Sequence, residues 1–225
     1  MENKRIVTLR TINIIAMKLL SSLLFVYALS IFNISAGIPD KLEALRTQKK
    51  VVRMDEPVAP YYSIQIIALK EPPREPAFFT KVNVVYEYPC SDGFVRYCVG
   101  KFNTREAAMA QLPSIKALGY DQAFVVNTKK YSLSDSKWSS DKTKKIDPNK
   151  IYTVQLSAFR FPVYLSYFKN VDNVMEFRMK DKIFRYTVGK FKGSEAKEEL
   201  EKIKALGYKG AFLVEFDRYA PFKIE

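Results

Sequence analysis

Two pairs of short stretches carry side chains suited to holding a polar ligand. Gln65 stands in Tyr62-Ser-Ile-Gln-Ile-Ile-Ala68, and Arg96 and Cys98 stand in Arg96-Tyr-Cys-Val-Gly-Lys-Phe102. In the second half, Gln155 and Ser157 occupy Tyr152-Thr-Val-Gln-Leu-Ser-Ala158, and Arg185 and Thr187 occupy Arg185-Tyr-Thr-Val-Gly-Lys-Phe191. Amide and guanidinium groups offer several donors and acceptors in fixed geometry, which suits the hydroxyl, acetamido and carboxylate groups of sugars. The candidate contacts are therefore Gln65, Arg96, Gln155, Ser157, Arg185 and Thr187. Plain solvation of an exposed sheet is the competing account of any one of them; recurrence of Gln and Arg in both halves favours a ligand.

The chemistry that is missing narrows the field. The chain has no histidine, so it lacks the usual general base near neutral pH, the Ser-His and Cys-His pairs and the commonest metal ligand. No Asp, Glu, Ser or Cys motif stands at a telling position in both halves. A non-enzyme without metal or cofactor is expected. Cys90 and Cys98 flank a hairpin turn asymmetrically, so no disulfide is assigned.

The formal charge is +13, of which Lys4, Arg5, Arg10 and Lys18 against Glu2 supply +3 and the remainder +10. A basic body favours acidic partners without choosing among nucleic acid, anionic lipid and wall polymer.

The order of the blocks shows a duplication. The first recurs at a separation of 90 residues, the second at 89, and Ile115-Lys-Ala-Leu-Gly-Tyr120 returns as Ile203-Lys-Ala-Leu-Gly-Tyr208 at 88. Three blocks in one order at nearly constant spacing mark an internal repeat. Each copy must position its candidate residues with the same elements. Tyr62 to Leu69 alternates as a strand. Pro162 to Val174 suits a short helix, whereas Glu71 to Val82 is broken by proline. Hairpins follow, Val82 to Tyr88 with Phe94 to Gly100 through Ser91-Asp92-Gly93, and Val174 to Lys180 with Ile183 to Gly189 through Asp181-Lys182. Ala108, Leu112, Ile115 and Leu118, like Ala196, Leu200, Ile203 and Leu206, make the stripe of one helical face. Asn103 or Thr104, and Ser194, are the expected N-caps, with Gly119 and Gly207 at the C-terminal ends. Last strands are expected at Gln122 to Val126 and Gly210 to Phe216. The result is β-α-β-β-α-β twice: an α+β fold of two ferredoxin-like split sandwiches, each with a four-stranded antiparallel sheet. Helices cover one face, leaving Gln65, Arg96 and Cys98, and Gln155, Arg185 and Thr187, on the open face. Tyr97, Val99, Tyr186 and Val188 point toward the helices, and Tyr120 and Tyr208 make capping contacts.

Taken together, Tyr-x-x-Gln-x-x-Ala, Arg-Tyr-x-Val-Gly-Lys-Phe and Lys-Ala-Leu-Gly-Tyr leading into Ala-Phe resemble the SPOR (sporulation-related repeat) domain over about 61–127 and 151–217. The resemblance implies a non-catalytic binder of peptidoglycan glycan strands stripped of stem peptides, outside the cytoplasmic membrane and often at division sites. Ser157-Ala158-Phe159 keeps the family pattern where Ile67-Ala68-Leu69 departs from it, so copy two is expected to be the better binder.

Around these copies, residues 1–36 read as a signal peptide or N-terminal anchor. An apolar stretch from Leu19 to Ile34 follows Met17-Lys18 and ends at Ser35-Ala36-Gly37, and either Met1 or Met17 serves as the start. Residues 37–60 and 128–150 read as linkers, the second basic and solvated with seven Lys against three Asp, and 218–225 as a tail. The expected location is the periplasm or cell envelope, with membrane contact only if the N-terminal segment is uncleaved. Two rival functions stand beside glycan binding. One is a protein-docking scaffold of degenerate modules serving cell-envelope proteins. The other is a nucleic-acid binder, disfavoured because Phe94-Val-Arg-Tyr97 lacks the aromatic spacing of RNA-recognition strands and export removes the chain from RNA.

Overall fold

The computed structural model describes residues 40–134 and 145–224. The expected export segment and the middle of the Lys-rich spacer lie outside the described residues. Lys41–Glu225 forms one compact unit, an α+β fold with a mostly antiparallel sheet. Its strands are β1 (Lys50–Arg53), β2 (Tyr62–Leu69), β3 (Val84–Pro89), β4 (Val95–Phe102), β5 (Phe124–Asn127), β6 (Ile151–Phe159), β7 (Met175–Arg178), β8 (Phe184–Lys192) and β9 (Phe212–Glu215). Its helices are α1 (Arg105–Ala117), α2 (Gly193–Ala205) and the single turn α3 (Phe216–Tyr219).

The expectation of two separate four-stranded sheets is corrected here. Among the described residues, all nine strands join one sheet in the order β5-β2-β4-β3-β1-β6-β8-β7, with β9 also paired to β6. The joint is β1, from a stretch read as linker. It runs parallel to β3 through four residue pairs and meets β6 at Val52 opposite Phe159. Thr47 N–H donates to Pro162 O, and Arg160 N–H to Val51 O. An unpaired outer edge of β3 would leave backbone donors and acceptors unsatisfied; Lys-Val-Val-Arg fills it and buries Val51.

A second correction concerns the connection after each first strand. No α-helix forms there; the chain makes 3-10 turns at Pro76–Phe78 and Leu165–Tyr167. In copy one, Pro72, Pro73 and Pro76 remove backbone donors that a longer helix needs. A single ring plugs the space instead. Phe79 packs 4.9 Å from Tyr97 and Phe168 packs 4.9 Å from Tyr186, both rings buried.

The later helices lay most of the expected apolar stripe on the sheet; Leu206, the last residue of the copy-two stripe, is instead 44% exposed at the end of α2. Leu112, Ile115 and Leu118 pack on the core of Ile64, Tyr97 and Val99, and Leu200 and Ile203 belong to the core around Val154, Tyr186 and Val188. Thr104 caps α1, its side chain accepting from Ala107 N–H, and α1 continues through Pro113. Ser194 is not a cap: α2 already begins at Gly193, whose N–H donates to Lys150 O. A Cβ on Gly193 would run into the backbone of Asp147. The end of the spacer is thus packed against the helix start.

Matching bulges explain the Val-Gly-Lys-Phe motif. The β2–β4 register shifts between Tyr62 and Ile64, and the β6–β8 register shifts between Tyr152 and Val154. The extra residue falls at Gly100 (φ +70°) and Gly189 (φ +69°). A Cβ there would meet the ring of Phe102 or Phe191 two residues on. Gly189→Ala therefore combines left-handed strain with a ring collision. It is expected to cost about 1–3 kcal/mol, seen as a lower urea midpoint with an unchanged slope.

Candidate functional site

The alternation argument put the right residues on one face, but that face is not open. In copy one, Gln65, Arg96 and Cys98 converge on Tyr131, a residue of the expected spacer. Tyr131 OH donates to Gln65 Oε1 at 2.7 Å and lies 3.5 Å from Cys98 Sγ, and the Arg96 guanidinium sits 5.7 Å from its ring centre. Leu133 joins Met54, Tyr88 and Cys90 in the same cluster, and Ser134 N–H donates to Pro89 O. The described beginning of the spacer is therefore a packed cover. Cys90 and Cys98 are free and buried, and burial pushes the Cys98 thiol up to about 12.

Copy two repeats the device with the tail. Tyr219, fully buried, donates to Gln155 Oε1 at 2.5 Å and packs 5.5 Å from Phe177, with Phe216 and Phe222 in the same cluster. Burial raises both phenol pKa values, so each hydroxyl stays a neutral donor to its amide. The signal was in the sequence. Val126-Asn-Thr-Lys-Lys-Tyr131 and Val214-Glu-Phe-Asp-Arg-Tyr219 are 88 residues apart, the spacing of the Gly-Tyr helix ends, so the repeat extends beyond its last strand.

The other candidates are also engaged internally. Gln155 is 3% exposed, Arg185 and Thr187 are 0% exposed, and Thr153 and Thr187 bond through their hydroxyls at 2.8 Å. Arg185 forks onto Asp181 at 3.0 and 2.9 Å, and Arg96 forks onto Asp92 at 3.0 and 2.6 Å. Each Asp also accepts the N–H two residues on, Phe94 or Ile183. Paired with Arg96, the exposed Asp92 carboxyl is held at about 2. These arginines pin hairpin turns. Of the six candidates, only Ser157 and Arg96 are half-exposed.

A buried acid that recurs in both copies corrects the reading that none does. Glu87 and Glu176, 89 residues apart, are each fully buried beside the motif tyrosine. Tyr97 OH donates to Glu87 at 3.1 Å, and Tyr186 OH to Glu176 at 2.5 Å. Arg160, from copy two, forks onto Glu87 with Nη2 at 2.6 Å, and Arg53 of β1 adds Nη1 at 3.0 Å. Arg46 reaches Glu176 at 3.0 Å and Val163 O at 2.5 Å. The counterions come from other parts of the fold, so these acids bolt the copies together.

What each copy does offer a ligand is a groove at the same place. β5 pairs with β2 only from Tyr62 to Gln65, and β9 with β6 only from Tyr152 to Gln155. Beyond the short last strand, Ile66–Ala68 and Leu156–Ala158 have no strand on that edge among the described residues. A bulge at Ile66 and at Leu156 marks the same point. The copy-one groove, about 500 Å³, runs beside Gly119, Tyr120 and Phe124 on the outer edge. Its copy-two counterpart, about 360 Å³, runs beside Gly207, Tyr208 and Phe212 and is walled across by Arg53, Asp55, Tyr86 and Lys101. Tyr120 and Tyr208, expected only to cap helices, border these grooves, and their hydroxyls staple the loop carbonyls of Thr80 at 2.8 Å and Lys169 at 2.7 Å.

These features define an α+β protein with an internal repeat, a mostly antiparallel sheet and, among the described residues, a matching groove at the sheet edge of each copy. No protein-family model, curated protein or solved structure matches the chain.

Proposed function

We propose that this chain is an exported, non-catalytic binder of peptidoglycan glycan strands, built from two SPOR-like modules of ferredoxin-like strand order. The observation that carries the reading is the groove that recurs beside Gln65–Ala68 with Tyr120 and beside Gln155–Ala158 with Tyr208. Duplicated concavities of a few hundred Å³ with aromatic walls suit small units of a polymer. Two of them in one body let weak contacts on one strand reinforce each other. Parts of the motifs that resemble the family meet at the groove: the Gln-x-x-Ala end of the first lines it, and the Gly-Tyr of the third borders it.

A second reading, a docking scaffold for envelope proteins, is favoured by the covered sheet faces. The test is co-sedimentation of the chain with sacculi before and after an amidase removes stem peptides. Binding that rises with peptide removal and falls in a Tyr208→Ala variant supports the glycan reading. No binding to either sacculus leaves the scaffold. Gln155 and Arg185 are unsuitable probes, because their substitution disturbs the fold first.

A further inference from the structure

The copy-two groove differs from its counterpart in having repeat one as its far wall, and that wall holds a cation. Lys101, the lysine of the first Gly-Lys-Phe, borders the cleft with its ammonium 4.8 Å from the Tyr86 ring centre. No carboxylate forms an ion pair with it among the described residues. Burial depresses its pKa, the sign of a charge that has lost water without gaining an anion. Two acids, Asp55 and Glu56, also line the cleft; neither pairs with Lys101, and Asp55 is answered by Arg53 at 3.5 Å and Arg185 at 3.8 Å.

Opposite lie groups suited to a sugar ring. Tyr167 and Tyr208 supply flat apolar surface, and half-exposed Ser157 supplies a hydroxyl beside the unpaired edge of β6. Copy one has Ile67 where copy two has Ser157, and none of its groove-lining residues is a cation. The two grooves therefore differ in charge preference.

We propose that the cleft between the repeats binds a carboxylate-bearing sugar residue, its carboxylate on Lys101 and its ring against Tyr167 and Tyr208. This rests on the glycan reading above and adds the chemical class of the residue held. Peptide-free muramyl residues carry such a carboxylate on the lactyl ether, and stem peptides consume it as an amide. Preference for stripped strands would then be charge recognition as well as steric access.

The chain is titrated by NMR with N-acetylmuramic acid and with its methyl ester, in the natural form and as Lys101→Met. Lys190→Met, on the corresponding exposed lysine of copy two, serves as the control. The natural chain is expected to bind the acid roughly 10-fold or more tightly than the ester, with shifts at Ser157 and Tyr208. Lys101→Met should abolish that difference without lowering the melting temperature, and Lys190→Met should keep it. Equal binding of acid and ester, retained discrimination in Lys101→Met, or no binding of either sugar overturns the proposal. If the acid binds at the cleft while stripped sacculi do not sediment the chain, the wall reading falls and the acidic-sugar site stands.

Discussion

Glu87→Ala is expected to lower stability by about 3–5 kcal/mol, a fall in melting temperature of roughly 6–20 °C for a body of this size. The carboxylate is fully buried and accepts from Tyr97, Arg160 and Arg53. Its removal leaves the Arg160 guanidinium and the buried Tyr97 phenol without this acceptor and leaves Arg53 with Asp55 alone. Because Arg160 follows β6 and Glu87 lies on β3, the loss also loosens the joint between the copies. Glu198→Ala, an exposed acid facing Lys202 on α2, should leave the midpoint unchanged. Thermal unfolding followed by circular dichroism checks both. A Glu87→Ala protein melting with the natural chain would show that the network contributes nothing to the joint.

Tyr219→Ala is expected to cost a similar amount, about 3–5 kcal/mol. It empties a fully buried ring site against Phe177 and removes the donor to Gln155 Oε1. Tyr219→Phe keeps the ring and loses only the hydrogen bond, leaving a buried amide oxygen unsatisfied at about 1–3 kcal/mol. The ordering Ala worse than Phe, read from urea midpoints, identifies the tail as core. If Tyr219→Ala kept its midpoint and bound stripped sacculi more strongly, the tail would instead be a displaceable lid over the sheet.

The two substitutions probe residues of unequal visibility in the sequence. Tyr219 could be found from the 88-residue spacing to Tyr131, once the repeat is followed past its last strand. Glu87 and Glu176 also recur, but a glutamate on a strand reads as solvent-facing until the arginines that reach it are known. Arg46, Arg53 and Arg160 lie outside the matched blocks, and their approach depends on β1 threading between the copies.

What the sequence determined by itself was the local order: where strands alternate, where two helices lay an apolar stripe on the sheet, and which face each strand residue takes. Those features depend on periodicity and on Asp-anchored turns, readable within a few residues. Only the tertiary structure decided that β1 welds the copies into one sheet and that Tyr131 and Tyr219 cover the faces expected to be open. It also decided that the concavity lies at the sheet edge beside Lys101. The physical reason is that backbone edges and buried charges are satisfied by partners distant in sequence; a four-residue strand carries no period to announce it, and the 88-residue spacing of Tyr131 and Tyr219 marks a recurrence without saying what the rings cover.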